Sequence, residues 1–270
     1  MGRYFDTPRA SYSWRDYRIP THVAAMEAIR AITPDDKTTL SEMQLWLLQQ
    51  KRTQAWDTPI ISADAIHAFL TENSKALATQ EQTVISIDGK QIALPEATAK
   101  VGYVKTTAEN SKAKTITFDK TSEGTSWGAV YAQALVPATE IENSTSGIKV
   151  ERSLSTDAKA LKVGDKVTMK ITITADRDYD FVQVSEQRAA CLEPVAQLSG
   201  YRGGYYIAPQ DNCTNYFFDR LAKGKHVIET EYYVVRPGVY SSGSCTAECA
   251  YSPAFAGRAK QMIMSVGGER

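Results

Sequence analysis

The run Asp176-Arg177-Asp178-Tyr179-Asp180-Phe181-Val182-Gln183-Val184, continuing through Cys191-Leu192-Glu193-Pro194 to Gly200, decides how the second half of the chain folds. Just before it, Val167, Met169, Ile171 and Ile173 alternate with Thr168, Lys170, Thr172 and Thr174. A period of two sends successive side chains to opposite faces, so one apolar row lies on one side of a half-buried strand. Asp176 to Asp180 supplies a polar turn, Phe181, Val182 and Val184 resume the extended pattern, and Pro194 with Gly200 ends it. A second strand is therefore expected to return beside the first.

Outward from this pair, the sequence from Ile148 to the end reads as seven extended segments: 148–154, 166–174, 180–187, 203–208, 214–218, 226–235 and 259–266. Turns such as Lys223-Gly224-Lys225 and Arg236-Pro237-Gly238 separate them. Many short strands in so short a stretch predict an antiparallel sandwich of two sheets over 145–270. Glu142-Asn143-Ser144-Thr145-Ser146-Gly147 has the composition of a linker and marks a boundary.

Upstream the pattern changes twice. Val23, Met26, Ile29 and Ile32 recur at helical spacing over His22 to Ile32. Pro34-Asp35-Asp36 stops that helix, and Thr39-Leu40-Ser41-Glu42 has capping-box spacing for a second, in which Leu40, Met43, Trp46 and Leu47 share a face. Ser62 is the expected cap of a third, with Ile66, Phe69 and Leu70 as its inner stripe. The helical segment thus spans 1–78. From 79 to 144 the period is two: Thr83 to Ile87 and Gln91 to Leu94 flank Asp88-Gly89, a dipeptide suited to the positive φ angles of a hairpin turn. Further strands are expected at 100–105, 114–118 and 126–136. The fold class is α+β, helices first and antiparallel sheets after them.

Hydrophobic residues at 43% and charged ones at 23% describe ordinary globular material. Lys and Arg number 31, as do Asp and Glu, so no net field draws nucleic acid or an anionic membrane. No apolar run approaches the roughly 20 residues that span a bilayer, and Met1 to Asp6 lacks a signal-peptide core. The chain is expected to be either cytoplasmic or a piece whose targeting segment lies elsewhere.

Catalytic chemistry is hard to find. His22, His67 and His226 are scattered, and the sequence holds no nucleophile elbow, phosphate loop or His-Glu-x-x-His helix. No catalytic, cofactor or metal residue is assigned. Asp176, Asp178 and Asp180 alternate as calcium loops do, but without the distal bidentate Glu, and read as a turn. Asn143-Ser144-Thr145 and Asn212-Cys213-Thr214 match a glycosylation pattern that reads as chance. The four cysteines, Cys191, Cys213, Cys245 and Cys249, all fall in the last 80 residues. Zinc binding by Cys245 and Cys249, two disulfides, and plain buried thiols are all open from the residues alone.

Several motifs together resemble the C-terminal end of bacterial α2-macroglobulin-like proteins. They are Ala175 to Pro194, Leu198-Ser199-Gly200-Tyr201, Asn215 to Asp219 with Lys223-Gly224, and Glu248 to Phe255. Upstream, Tyr12 to Tyr17 and Lys51-Arg52-Thr53-Gln54-Ala55-Trp56-Asp57-Thr58-Pro59 resemble the last helices of that family's thioester domain. The resemblance implies that 1–78 is the end of an α/α toroid, 79–144 part of a CUB-like domain split by the thioester domain, and 145–270 a macroglobulin-type sandwich. It also implies that the chain is a piece of a larger envelope protein, in the periplasm or at the cell surface, whose anchoring by lipid is open. Partners would be upstream domains of the same chain and, through the parent, the peptidases it traps. Since Cys191 and Cys249 lie within the shared motifs, it further implies a Cys191–Cys249 disulfide, leaving Cys213 with Cys245. The family's thioester motif is Cys-x-Glu-Gln; Cys191-Leu192-Glu193-Pro194 has proline in place of the glutamine and cannot form that bond. The competing expectation is a surface binding module that recognises a protein or polymer through the tyrosines concentrated in 201–240.

Overall fold

The structure, a computed structural model, describes residues 2–5, 18–56, 58–78, 83–94, 104–109, 112–121, 126, 128–156 and 160–267. The chain divides into two compact units, Met1–Gln50 with Trp56–Ala134, and Lys51–Ala55 with Leu135–Arg270.

The first unit holds three helices, α1 (Arg18–Ile32), α2 (Lys37–Thr53) and α3 (Pro59–Ala78), and a small antiparallel sheet of β1 (Val84–Ile87), β2 (Lys90–Gln91) and β3 (Ile116–Asp119) in the order β2-β1-β3. Ile19, Val23 and Met26 of α1 gather with Leu40, Met43, Trp46 and Leu47 of α2 and Ile61, Ala65 and Ala68 of α3 in one core. The inner stripe of α3 is therefore not Ile66, Phe69 and Leu70: Ile66 and Leu70 are exposed. Ile61, Ala65 and Ala68 follow the i, i+4, i+7 spacing of a single helix face, and the two alanines leave room for the large Trp46 and Met43 of the same cluster.

Both later helices start before their expected caps. Asp36 Oδ1 accepts the Thr39 amide at 3.0 Å, and Thr58 Oγ1 accepts the Ile61 amide at 3.2 Å. Each cap stands three residues ahead of the N–H it satisfies, and Pro59 fills a first helical position where a missing N–H is harmless. The β1–β2 hairpin turns through Asp88 (φ 47) and Gly89 (φ 78), as that dipeptide predicts. Residues 104–109 and 128–136 carry no regular element, so the expected strand at 126–136 is not formed; 95–103 and Trp127, like Tyr12 to Tyr17, lie outside the described residues.

The second unit opens with a single 3₁₀ turn at Ala138–Glu140 and continues with β4 (Ser144–Ser146), β5 (Ile148–Ser155), β6 (Leu161–Lys162), β7 (Lys166–Ala175), β8 (Tyr179–Gln187), β9 (Leu192–Pro194) and β10 (Gly200–Arg202). It is completed by β11 (Tyr205–Pro209), β12 (Cys213–Leu221), β13 (Gly224–Val234), β14 (Gly238–Ser241), β15 (Cys245–Cys249), β16 (Ala256–Ala259) and β17 (Ile263–Gly267). Eleven strands follow one another in the order β10-β11-β12-β8-β15-β16-β4-β5-β7-β13-β9; β14, β17 and β6 form a separate small sheet in which only β17 and β6 run parallel.

The long sheet folds over on itself. Val167, Met169, Ile171 and Ile173 of β7 share one core with Val182 and Val184 of β8, Tyr216 and Phe218 of β12, and Ile228 and Tyr232 of β13. That is the sandwich expected from alternation, and β7 keeps a strict inward and outward pattern along its length. The fold-over passes Gly257 on β16, where a Cβ would strike the carbonyl oxygen of Ile148 on β5; no larger residue allows the two backbones this close. The segment expected as one strand at 259–266 is two, β16 and β17, divided at Lys260–Met262 where the chain leaves one sheet for the other.

Candidate functional site: the acidic turn and the polar core of the sandwich

Asp176 to Phe181 joins β7 to β8 and gathers several polar contacts. The Arg177 guanidinium grips Asp176 with Nε and Nη2, each at 3.0 Å, and the Tyr179 hydroxyl donates to Asp176 Oδ1 at 2.6 Å. Tyr179 is fully buried. Burial, then the neighbouring carboxylate, drives its phenol well above the ordinary range. For Asp176, burial alone would raise the carboxyl; the hydrogen bonds from Arg177 and Tyr179 outweigh it and hold the group below its usual value. Arg177 also lies 5.0 Å from the centre of the Phe255 ring.

The three acidic residues diverge. Asp176 binds Arg177 and Tyr179; Asp178 accepts the Lys223 amide at 2.8 Å; Asp180 accepts the Ala55 amide at 2.8 Å. Their alternation serves separate backbone and side-chain partners. The segment Lys51–Ala55, part of this unit, is further held by Gln54 Nε2, which donates to the Asp178 carbonyl at 3.3 Å, and by Arg52 lying 5.5 Å from the Phe255 ring centre. Between this segment and Asp180, Phe181 and Tyr251 lies an open groove of about 290 Å³. Phe181 has φ 58, a conformation costly for a bulky side chain, and its ring meets Tyr251 edge-on at 5.2 Å. The strain places Phe181 outward while Tyr179, Asp180 and Val182 around it are buried.

Inside the sandwich lies a polar layer that only strand order brings together. Arg152 of β5 and Glu186 of β8 form an ion pair at 2.6 Å, with side chains 2% and 1% exposed. Arg152 Nη2 also donates to the carbonyls of Gly243 and, at 2.7 Å, of Lys260. One guanidinium thereby holds both chain crossings that connect the β15–β16 hairpin to the small sheet. Glu186 faces Thr214 on β12 and Cys245 on β15 in register. Its carboxyl is raised by burial, an effect that Arg152 opposes. Nearby, the hydroxyls of Thr214 and Tyr232 stand 3.1 Å apart and those of Tyr216 and Thr230 2.7 Å. These pairings satisfy groups whose burial would otherwise cost about 1–3 kcal/mol each.

The four cysteines are all buried free thiols. The register keeps Cys213 and Cys245 apart. Cys213 lies opposite Gln187 and Cys245 opposite Glu186, on strands flanking β8, so their side chains take opposite faces about two strand spacings, roughly 10 Å, apart. Cys249 lies opposite Val182 at the start of β8, whereas Cys191 follows the far end of that strand. Burial raises the thiol pKa of Cys191 and Cys249, and raises Cys245 well above its ordinary value with the Glu186 charge adding to it. Such thiols are poor nucleophiles. Leu192–Pro194 forms β9 at the sheet edge, so the Cys191-Leu192-Glu193-Pro194 run is sandwich structure.

Each histidine has a local setting. His22 is buried against Trp46 with ring centres 4.3 Å apart, and its Nε2 lies 2.9 Å from the Met43 carbonyl; burial lowers its pKa. His67 is exposed on α3, and His226 Nε2 lies 2.7 Å from the Ala222 carbonyl. Among the described residues no group of three His, Cys, Asp or Glu side chains is placed to hold a metal ion.

No curated protein matches the chain in sequence. Among solved structures, Escherichia coli alpha-2-macroglobulin activated by porcine elastase shares 15% identity over 97% of this chain and 25% of its own, with a TM-score of 0.47. The native Escherichia coli protein from domain MG7 to its C-terminus shares 12% over 94% of this chain and 42% of its own, at 0.42. A Salmonella alpha-2-macroglobulin mutant shares 15% over 97% and 18%, at 0.44. The chain thus spans less than half the length of each. Residues 139–254 match the family described as Bacterial Alpha-2-macroglobulin MG10 domain. That range contains the acidic turn, β5, β7, β8 and all four cysteines. Over residues 139–254 the sandwich unit is thus similar to the MG10 domain of bacterial alpha-2-macroglobulins.

Proposed function

We propose that this chain is the C-terminal structural region of a bacterial alpha-2-macroglobulin-like protein that traps attacking peptidases, and that it has no catalytic role of its own. The match of residues 139–254 to the MG10 domain carries the reading. In it, residues 1–78 end a thioester-type helical domain, 79–144 are the returning part of a CUB-like domain, and 145–270 are the terminal sandwich. The small sheet of the first unit supports the middle assignment. Ile85 and Ile87 of β1 lie opposite Phe118 and Ile116 of β3 on one face, Phe118 is half exposed, and none of the four belongs to either hydrophobic core. Upstream strands of the parent chain would cover that face.

The parent would sit in the periplasm or at the cell surface. Among the described residues no helix is long and apolar enough to cross a membrane. Trapping is tested by incubating the parent protein with a serine peptidase and comparing hydrolysis of a small chromogenic peptide with that of casein. Retained activity on the peptide and lost activity on casein is expected, since an enclosed peptidase still admits small substrates. Equal loss of both, or no change in either, would remove the trap and leave a surface binding module in its place.

A further inference from the structure

Among the buried residues described in the first unit, His22 alone titrates near neutral pH. It stands on α1 at 2% exposure, its ring centre 4.3 Å from that of Trp46 on α2 and its Nε2 2.9 Å from the Met43 carbonyl oxygen. A carbonyl only accepts, so Nε2 carries the proton and donates it, and the neutral ring keeps a bare lone pair on Nδ1. Nδ1 is buried without a hydrogen-bond partner. One imidazole thus ties α1 to α2 in a form that suits the core only while it is neutral.

Protonation would put an N–H on Nδ1 where no acceptor stands, and a full charge among Val23, Met26, Met43 and Trp46. Two neighbours favour the cation, the Met43 carbonyl and the Trp46 ring. Burial outweighs them and holds the imidazole pKa below its ordinary 6.5. The charged groups around the ring bring no counter-ion. On α2, Glu42 precedes Met43 but is bound by Arg3 of the N-terminal segment at 3.0 Å. Arg18, one turn earlier on α1, adds a like charge. Glu27 of α1 lines a groove with Asp64 and His67 of α3, beside Pro20 and Ala24, on a different side of α1 from His22.

We infer that His22 is a pH-sensitive latch in the helical unit: neutral, it fastens α1 to α2, and on taking up a proton it lets them part. The stability it contributes is present above pH 6.5 and is lost as pH falls from there toward the lower folded-state value, the range of a mildly acidic surrounding. The latch is independent of the trap reading, since it rests on the first unit alone.

All four tryptophans, Trp14, Trp46, Trp56 and Trp127, lie in the first unit, so their fluorescence reports its unfolding. The test follows urea unfolding of the 270-residue chain by this signal between about pH 7.5 and about pH 5. The folding equilibrium constant should fall by up to about tenfold per pH unit below 6.5, the change that one proton imposes. That fall should vanish in His22→Gln and His22→Phe, which do not titrate, and persist in His67→Gln, which removes the exposed imidazole of α3. The ring-proton resonances of the wild type give a reading that needs no variant, and His22 should titrate below pH 6.5 in the folded chain. No fall in the wild type, an equal fall in His22→Phe, its loss in His67→Gln, or a folded His22 ring that titrates at 6.5 or above would overturn the inference.

Discussion

Arg152 reads in the sequence as one charged residue among the alternating Lys149, Glu151 and Ser153 of a strand, and Glu186 as another 34 positions on. Only strand order brings them together, so the pair that organises the sandwich interior was illegible. Its removal has a defined cost. Arg152→Met leaves Glu186 buried without its counter-charge and should lower stability by about 3–5 kcal/mol, whereas Arg152→Met/Glu186→Leu should lie close to the wild type. Urea unfolding of both variants checks this, and equal losses in the two would contradict it. Asp176 carries the pH dependence of the turn. Its folded-state pKa lies below the ordinary 3.8, so the stability it contributes is present above 3.8 and is lost as pH falls through the lower folded value. Asp176→Asn should therefore flatten the fall of the unfolding midpoint below pH 3.8 relative to the wild type, measured by urea titration across that range.

At the scale of elements, periodicity located what is long and regular. The alternation of β7 and the helical spacing of α1 and α2 were readable because each has a wet and a dry side, although Ile32, the last residue of the expected α1 row, is exposed. The stripe of α3 was not, because its buried face uses Ala65 and Ala68, while its larger Ile66 and Leu70 face water. The short strands β4, β6, β9 and β14 have two to four residues each, too few to show a period. β15 reads Cys-Thr-Ala-Glu-Cys, with no large apolar residue to mark it. Caps and turns make the sharpest tests here. Thr58→Ala should cost the helical unit about 1 kcal/mol, seen in its thermal midpoint. Gly147 has φ 77, and a Cβ there would meet the Tyr179 hydroxyl. Gly147→Ala should destabilise the sandwich by about 1–3 kcal/mol. A neutral result would mean that the Asp176–Tyr179 contact gives way without loss.

Across the whole molecule, the concentration of all four cysteines in the sandwich was plain from the sequence, and their separation was not, because distance across a sheet depends on strand order. In the unreduced, denatured chain, all four should titrate with a thiol reagent, and in the native chain they should react slowly; two or none on denaturation would mean that a disulfide forms against this register. The order of motifs pointed toward the family whose MG10 domain residues 139–254 match, because Ala175 to Pro194 and Glu248 to Phe255 lie in or beside strands of that range. Peptidase trapping by the parent is the central functional claim. It is tested most directly by small-angle scattering of the intact parent protein before and after limited proteolysis, with free thiol measured on the same samples and methylamine as a control. The account predicts that cleavage makes the parent more compact; release of a thiol would add a reactive thioester upstream, and compaction without thiol would mean enclosure alone. An unchanged radius of gyration after cleavage would contradict the trap.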